Sequence, residues 1–222
     1  MTPRRARWAS LLAFGVAVAG VILLTGPLLL FFPPIVSFEQ ARQDVPALLH
    51  TDQATVDRAT VSMLGDLLRN GDFTVSISPS GEPVLDAKER SHMRDVGGVV
   101  RGLLLAGAIA WLLAILLWWR LRADPDRRAR AMLAASAGIG VAAAVLGAFF
   151  ALAFEAAFAA FHAIFFAAGT WTFEPGSNLL RFFPEPLWYE LALLAGATII
   201  VSAVLVAWAA SRALARAPLE PG

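Results

Sequence analysis

No cysteine occurs anywhere in the 222 residues of the chain. Its absence removes disulfides, thiolate nucleophiles and cysteine-ligated zinc or iron–sulfur sites, and says little about compartment. Charge is scarce as well: Asp, Glu, Lys and Arg make up 16% of the residues, against about 25% in an ordinary soluble domain. There is no G-x-S-x-G turn to present a nucleophilic serine and no H-E-x-x-H pair for a zinc ion. Internal repeats and low-complexity tracts are missing too. What remains is hydrophobic, 58% of the chain, and gathered in four runs: Trp8–Phe32, Val96–Trp119, Ala131–Ala153 with a greasy extension, and Leu187–Ala210. Each reaches the ~20 residues that cross a ~30 Å hydrocarbon layer. The chain reads as an integral membrane protein. Its first run follows Arg4, Arg5 and Arg7 as a signal peptide would. It is too long for one, however, and ends at Pro33-Pro34 without a small-x-small cleavage site, which makes it an uncleaved signal anchor.

Charge placement sets the expected topology. The N-terminus, the stretch "RLRADPDRRAR" after the second run and the C-terminal tail hold ten arginines. The only acids among them are Asp124, Asp126 and Glu220. By the positive-inside rule all three segments are cytoplasmic. Trp111, Trp118, Trp119, Trp188 and Tyr189 fall near run ends, as an aromatic belt would. The expected fold is an all-α membrane protein with four transmembrane helices, both termini cytoplasmic, and a small mixed α/β extracytoplasmic insertion between the first two helices. The boundaries are 1–35 for the N-terminus and first span, 36–94 for the insertion, 95–119 for the second span and 120–130 for the cytoplasmic loop. The third span then covers 131–161, an extracytoplasmic interfacial loop 162–186, the fourth span 187–211 and the cytoplasmic tail 212–222.

The insertion carries recognisable local signals. Val56, Thr60, Met63, Leu64 and Leu67 recur at helical spacing, with Thr51 or Asp52 as cap and Gly71 after the end. "FTVSI" alternates Phe73, Val75 and Ile77 as a short strand would, and "SPSGEP" is a turn cluster. Asp86 with Glu89 three residues on resembles a capping box, so a helix is expected to start there and run into the second span.

The titratable residues gather near the outer face. On the helix entering the membrane, His92 and Asp95 are neighbours at i, i+3, and a carboxylate at that spacing fixes a tautomer or raises basicity. Gly98 and Gly102 below them let another helix approach closely. Arg101 lies inside the apolar run, where it either snorkels outward or serves a site. "FEAAFAAFHAIFFAAGTW" sets Glu155 and His162 two turns apart on one stripe. Along an unbroken helix these residues lie about 36 and 46 Å beyond Ala131. A bilayer including headgroups is only ~40–45 Å thick, and tilt brings both residues back toward the outer interface, where lipid glycerol esters sit. Trp171, Glu174, Arg181 and Glu185 follow among aromatics and prolines, in a segment suited to wall a lipid-entry cleft or to form an ordinary interfacial loop.

Taken in order, "ERSHMRDV" before the second span, "FHAIFF" ending the third, Trp171, and "LLRFFPEPLW" entering the fourth resemble the lipoprotein intramolecular transacylase (Lit) family of bacterial membrane proteins. The resemblance covers the whole four-span layout. It implies an enzyme of the bacterial inner (cell) membrane, with its active site on the extracytoplasmic face. The reaction implied moves the sn-2 acyl chain of a diacylglyceryl-cysteine lipoprotein onto the cysteine's own α-amine. The family's two functional histidines map onto His92 and His162, and its motif aspartate onto Asp95. No family role passes to Arg101, Glu155 or Arg181, which with Trp171 stay supporting candidates. The implied partners are a diacylglyceryl lipoprotein and membrane lipid.

The chemistry suits these residues. Ester-to-amide transfer needs no cofactor or metal. The α-amine, of ordinary pKa ~7.7–8.0, must be neutral to attack, and an imidazole of ordinary pKa ~6.5 can take its proton and return it to the departing glycerol oxygen. Ester and amine belong to one molecule, so the protein mainly supplies attack geometry. Arg101 or a protonated histidine would hold the oxyanion. The expectation is His162 as base with His92, oriented by Asp95, assisting, or the two histidines exchanged. Two rivals stand beside it: a zinc site built from His92, Asp95, His162 and Glu155, and a non-catalytic membrane protein binding a lipid or protein partner through its outer domain. Nucleic acid is not an expected partner, since topology accounts for the basic residues.

Overall fold

The computed structural model describes residues 3–216, and every regular element among them is helical. Glu220, with the rest of 217–222, lies outside the described residues. In chain order the helices are α1 (Pro3–Leu28), α2 (Pro33–Arg42), α3 (Val45–Leu48), α4 (Gln53–Arg69), α5 (Ala87–Arg120), α6 (Pro125–Leu152), α7 (Phe154–Phe165), α8 (Asn178–Phe182) and α9 (Glu185–Ala215), with a 3-10 turn at Leu29–Phe31. Four stretches, Arg5–Phe31, α5, α6 and α9, are long and apolar enough to cross a membrane, one for each expected run. The third of them stops short of the expected 131–161. Helix α6 ends at Leu152, Ala153 leaves the helical region (φ −143°, ψ 53°), and α7 starts afresh at Phe154.

Two compact units share these helices. Among the described residues one comprises 3–27, 104–147 and 195–216. Its core is Leu11, Phe14, Val18, Ile22, Leu121, Ala143, Ile199 and Ala203. Close packing there depends on small residues: a Cβ on Gly26 would lie 2.6 Å from the Ala195 carbonyl oxygen. The outer faces stay apolar, with Leu105, Leu112, Val141, Val145, Val204 and Trp208 all exposed, as a surface in contact with lipid must be. Arg7 pairs with Asp124, and the Arg128 guanidinium lies 3.6 Å from the Trp118 ring centroid.

The other unit, residues 28–103 and 148–194, contains His92 and His162. Helix α4 forms as its pattern requires. Asp52 accepts the Thr55 N–H at 2.7 Å, Asn70 ends the helix in the left-handed conformation (φ 59°), and Val56, Thr60, Met63, Leu64 and Leu67 are buried. Gln40 of α2 has no exposed surface. It satisfies both ends of its amide by donating to the Phe182 carbonyl at 3.1 Å and accepting from Thr60 at 2.8 Å. The mixed α/β insertion is corrected here: no strand occurs among the described residues. Residues 73–77 have no regular structure: Phe73 sits at φ 55° and gives its N–H to the Asp66 carboxylate. A single backbone bond, Val84 N–H to Val75 C=O, joins this arm to the returning one. The returning arm carries Pro83, which has no N–H to give a ladder, and the Val84 carbonyl is taken by the Asn178 amide at 2.7 Å. Of the alternating Phe73, Val75 and Ile77 only Phe73 is buried, and the one bond at Val75 does not grow into a ladder.

Candidate active site

Helix α5, which carries His92, begins with the expected capping box. The Asp86 N–H donates to Glu89 Oε2 and the Glu89 N–H to Asp86 Oδ1, both at 2.8 Å. Glu89 does more than cap. It is only 2% exposed, and its other oxygen accepts the Leu179 N–H at 2.9 Å, which fixes the start of α8 against α5. One turn further on, His92 is buried among rings, with Phe166 at 4.9 Å and Phe173 at 5.4 Å, both edge-on. Its Nδ1 is the one buried side-chain N or O atom without a hydrogen-bond partner among the described residues. Leaving such an atom unpaired costs about 1–3 kcal/mol.

Helix α7 brings the second imidazole to the same place. His162 is buried, with Phe158 at 4.1 Å, Trp171 at 4.9 Å and Phe166 at 5.5 Å. Its ring centroid lies 6.1 Å from that of His92, the planes 24° apart. His162 Nδ1 is 2.8 Å from the Phe158 carbonyl oxygen one turn back. A carbonyl only accepts, so Nδ1 carries the proton and Nε2 keeps its lone pair. Burial pushes the His162 pKa below the usual histidine value, and the bond to Phe158 opposes that shift in part. The imidazole is thereby kept neutral and able to take a proton near neutral pH.

The other candidates fall in different places. Trp171 packs on His162 and belongs to the site. Asp95 is exposed and has no hydrogen bond to His92. Arg101 gives its guanidinium to the Leu67 carbonyl at 2.9 Å and the Asn70 side chain at 2.7 Å, where it neutralises the carbonyl end of α4. Arg181 reaches Asn178 within α8, and Glu155 is exposed at the start of α7. Among the described residues no three His, Asp or Glu side chains gather, so the zinc reading lacks its donor set. Sequence reasoning missed Glu89's second bond and the ring walls Phe158, Phe166 and Phe173. Only the density of phenylalanine around His162 hinted at those walls.

Solved structures of the membrane-integral lipoprotein intramolecular transacylase Lit from Bacillus cereus share this fold. One matches with a TM-score of 0.78 at 16% identity, covering 96% of this chain and 97% of that one. A variant with one histidine replaced by arginine gives 0.76 at 16% identity, covering 96% and 93%. A variant with a histidine replaced by alanine gives 0.77 at 16% identity, covering 96% and 95%. Comparison with curated proteins finds no match. The family described as lipoprotein intramolecular transacylase Lit matches residues 11–188, a stretch that includes both imidazoles and the rings around them. This chain is a member of the lipoprotein intramolecular transacylase (Lit) family.

Proposed function

We propose that the chain moves the sn-2 acyl chain of a diacylglyceryl-cysteine lipoprotein to the lipoprotein's own N-terminal amine, with His162 as the base. Membership of an acyltransferase family sets the non-catalytic reading aside. The observation that carries the proposal is the 2.8 Å contact between His162 Nδ1 and the Phe158 carbonyl, which leaves Nε2 as the free basic atom. Nε2 takes the proton from the attacking amine as the C–N bond forms, then returns it to the glycerol oxygen as the ester C–O bond breaks. His92, with its Nδ1 unpaired, supplies a hydrogen bond to the tetrahedral oxyanion. Asp95 acts on His92 through its charge rather than a direct bond. The protein works in the bacterial inner membrane with both termini cytoplasmic. Its site faces outward, at the height of lipid esters, and nucleic acid plays no part.

Acyl migration within one molecule leaves its mass unchanged, so the test is fragmentation of the lipoprotein's N-terminal peptide. In a host without lipoprotein N-acylation, expression of the native chain is expected to yield fragment ions with one acyl chain on nitrogen. His162→Ala and His92→Ala are each expected to lower that product by at least ~100-fold, the upper contribution of one acid–base group being ~10⁴. N-acylation surviving both substitutions overturns the proposal.

A further inference from the structure

Trp171 and Phe173, which cover His162 and His92 respectively, are two residues apart in one non-helical strap between α7 and α8. Glycines in the left-handed region flank it on both sides, Gly169 at φ 82° and Gly176 at φ 90°, conformations that side-chain-bearing residues rarely adopt. Between them, Trp171, Thr172 and Phe173 have one hydrogen bond among the described residues, from Lys88 Nζ to the Thr172 carbonyl at 2.6 Å. The same ammonium stands 5.3 Å from the Phe173 ring centroid, a cation–π contact. Lys88 is exposed on α5, one turn before His92. A single flexible side chain thus fastens the ring wall over both imidazoles, and it does so from the water side.

We propose that Lys88 is a positioning residue: it latches the Gly169–Gly176 strap closed over the two histidines so that the substrate's amine, not water, attacks the ester. This rests on the transacylase reading above. With the strap closed, the amine nitrogen forms the C–N bond, the ester C–O bond breaks, and the amine proton ends on the glycerol oxygen. With it open, water attacks the same carbonyl, the acyl chain leaves as free fatty acid, and the glycerol oxygen again takes a proton. The ratio of the two products therefore reports closure, and a side chain that only stabilised the fold would not move it.

The purified full chain in lipid nanodiscs is given a synthetic diacylglyceryl lipopeptide, and N-acyl peptide and free fatty acid are both quantified. Lys88→Met is expected to lower N-acyl product about tenfold and to raise fatty acid released per N-acyl peptide severalfold. Lys88→Arg, which keeps both the hydrogen bond and the cation–π contact, restores the ratio. Because the chain has no cysteine, Thr172→Cys is the only thiol present, and a maleimide is expected to label it faster when Lys88 is Met. An unchanged product ratio in Lys88→Met overturns the latch, as does unchanged labelling. Where Lys88→Met fails to fold, Phe173→Leu, which removes the ring and keeps the lysine, must shift the ratio the same way or the latch is overturned. A native chain that makes no N-acyl peptide overturns the transacylase reading instead, and the labelling rates still decide the latch.

Discussion

His92 and His162 have the same side chain and opposite hydrogen-bond status: His162 Nδ1 meets a carbonyl, and His92 Nδ1 meets nothing. In the proposed mechanism that difference makes His162 the base, which yields a pH prediction. A free amine of ordinary pKa ~7.7–8.0 imposes a first slope of one on log(kcat/KM) as pH falls. His162 must also be neutral, and its pKa is held below the usual value by burial. Protonation therefore removes the base only at a pH lower than ~6.5, so the second unit of slope is expected below that value. A second break at ~6.5 or above in the steady-state profile, besides that of the amine, would contradict a buried base at this position.

At the scale of elements, Glu89 joins two helix starts by accepting N–H groups from Asp86 and Leu179. Glu89→Ala orphans the buried Leu179 N–H at a cost of about 1–3 kcal/mol and removes half of the capping box, expected as a lowered thermal midpoint in detergent with partial loss of N-acylation, because His92 lies one turn away. Half of this arrangement was legible: D-x-x-E before an apolar run announces a capping box. The other half joins residues 90 positions apart, and no local pattern encodes it. The expected strand failed for a similar reason. Phe73, Val75 and Ile77 alternate as a strand does, yet pairing depends on the opposing arm, where Pro83 lacks a donor and Asn178 takes the Val84 carbonyl. The interruption at Ala153 was equally invisible, since neither proline nor glycine marks it.

At the scale of the whole molecule, the clustering of arginines in three segments gives the topology proposal a direct test. Ser80→Cys, in the 36–94 segment, is expected to react with a membrane-impermeant maleimide in intact cells, and Arg122→Cys only after lysis. The reverse pattern would invert the molecule and take the site to the cytoplasm. The four spans were readable because hydropathy and length suffice for them, and the two histidines because their flanking residues form an ordered pair of motifs. Their 6.1 Å approach was not readable, since it depends on how α5 and α7 pack.

Trp171 packs against His162 at 4.9 Å, which places a fluorophore on the proposed base. An imidazolium beside an indole quenches its emission and a neutral imidazole does so less. In a variant keeping Trp171 as its sole tryptophan, the emission would follow the proton of His162 optically, without turnover. The ring that packs on His162 would then report the charge state of the residue it covers.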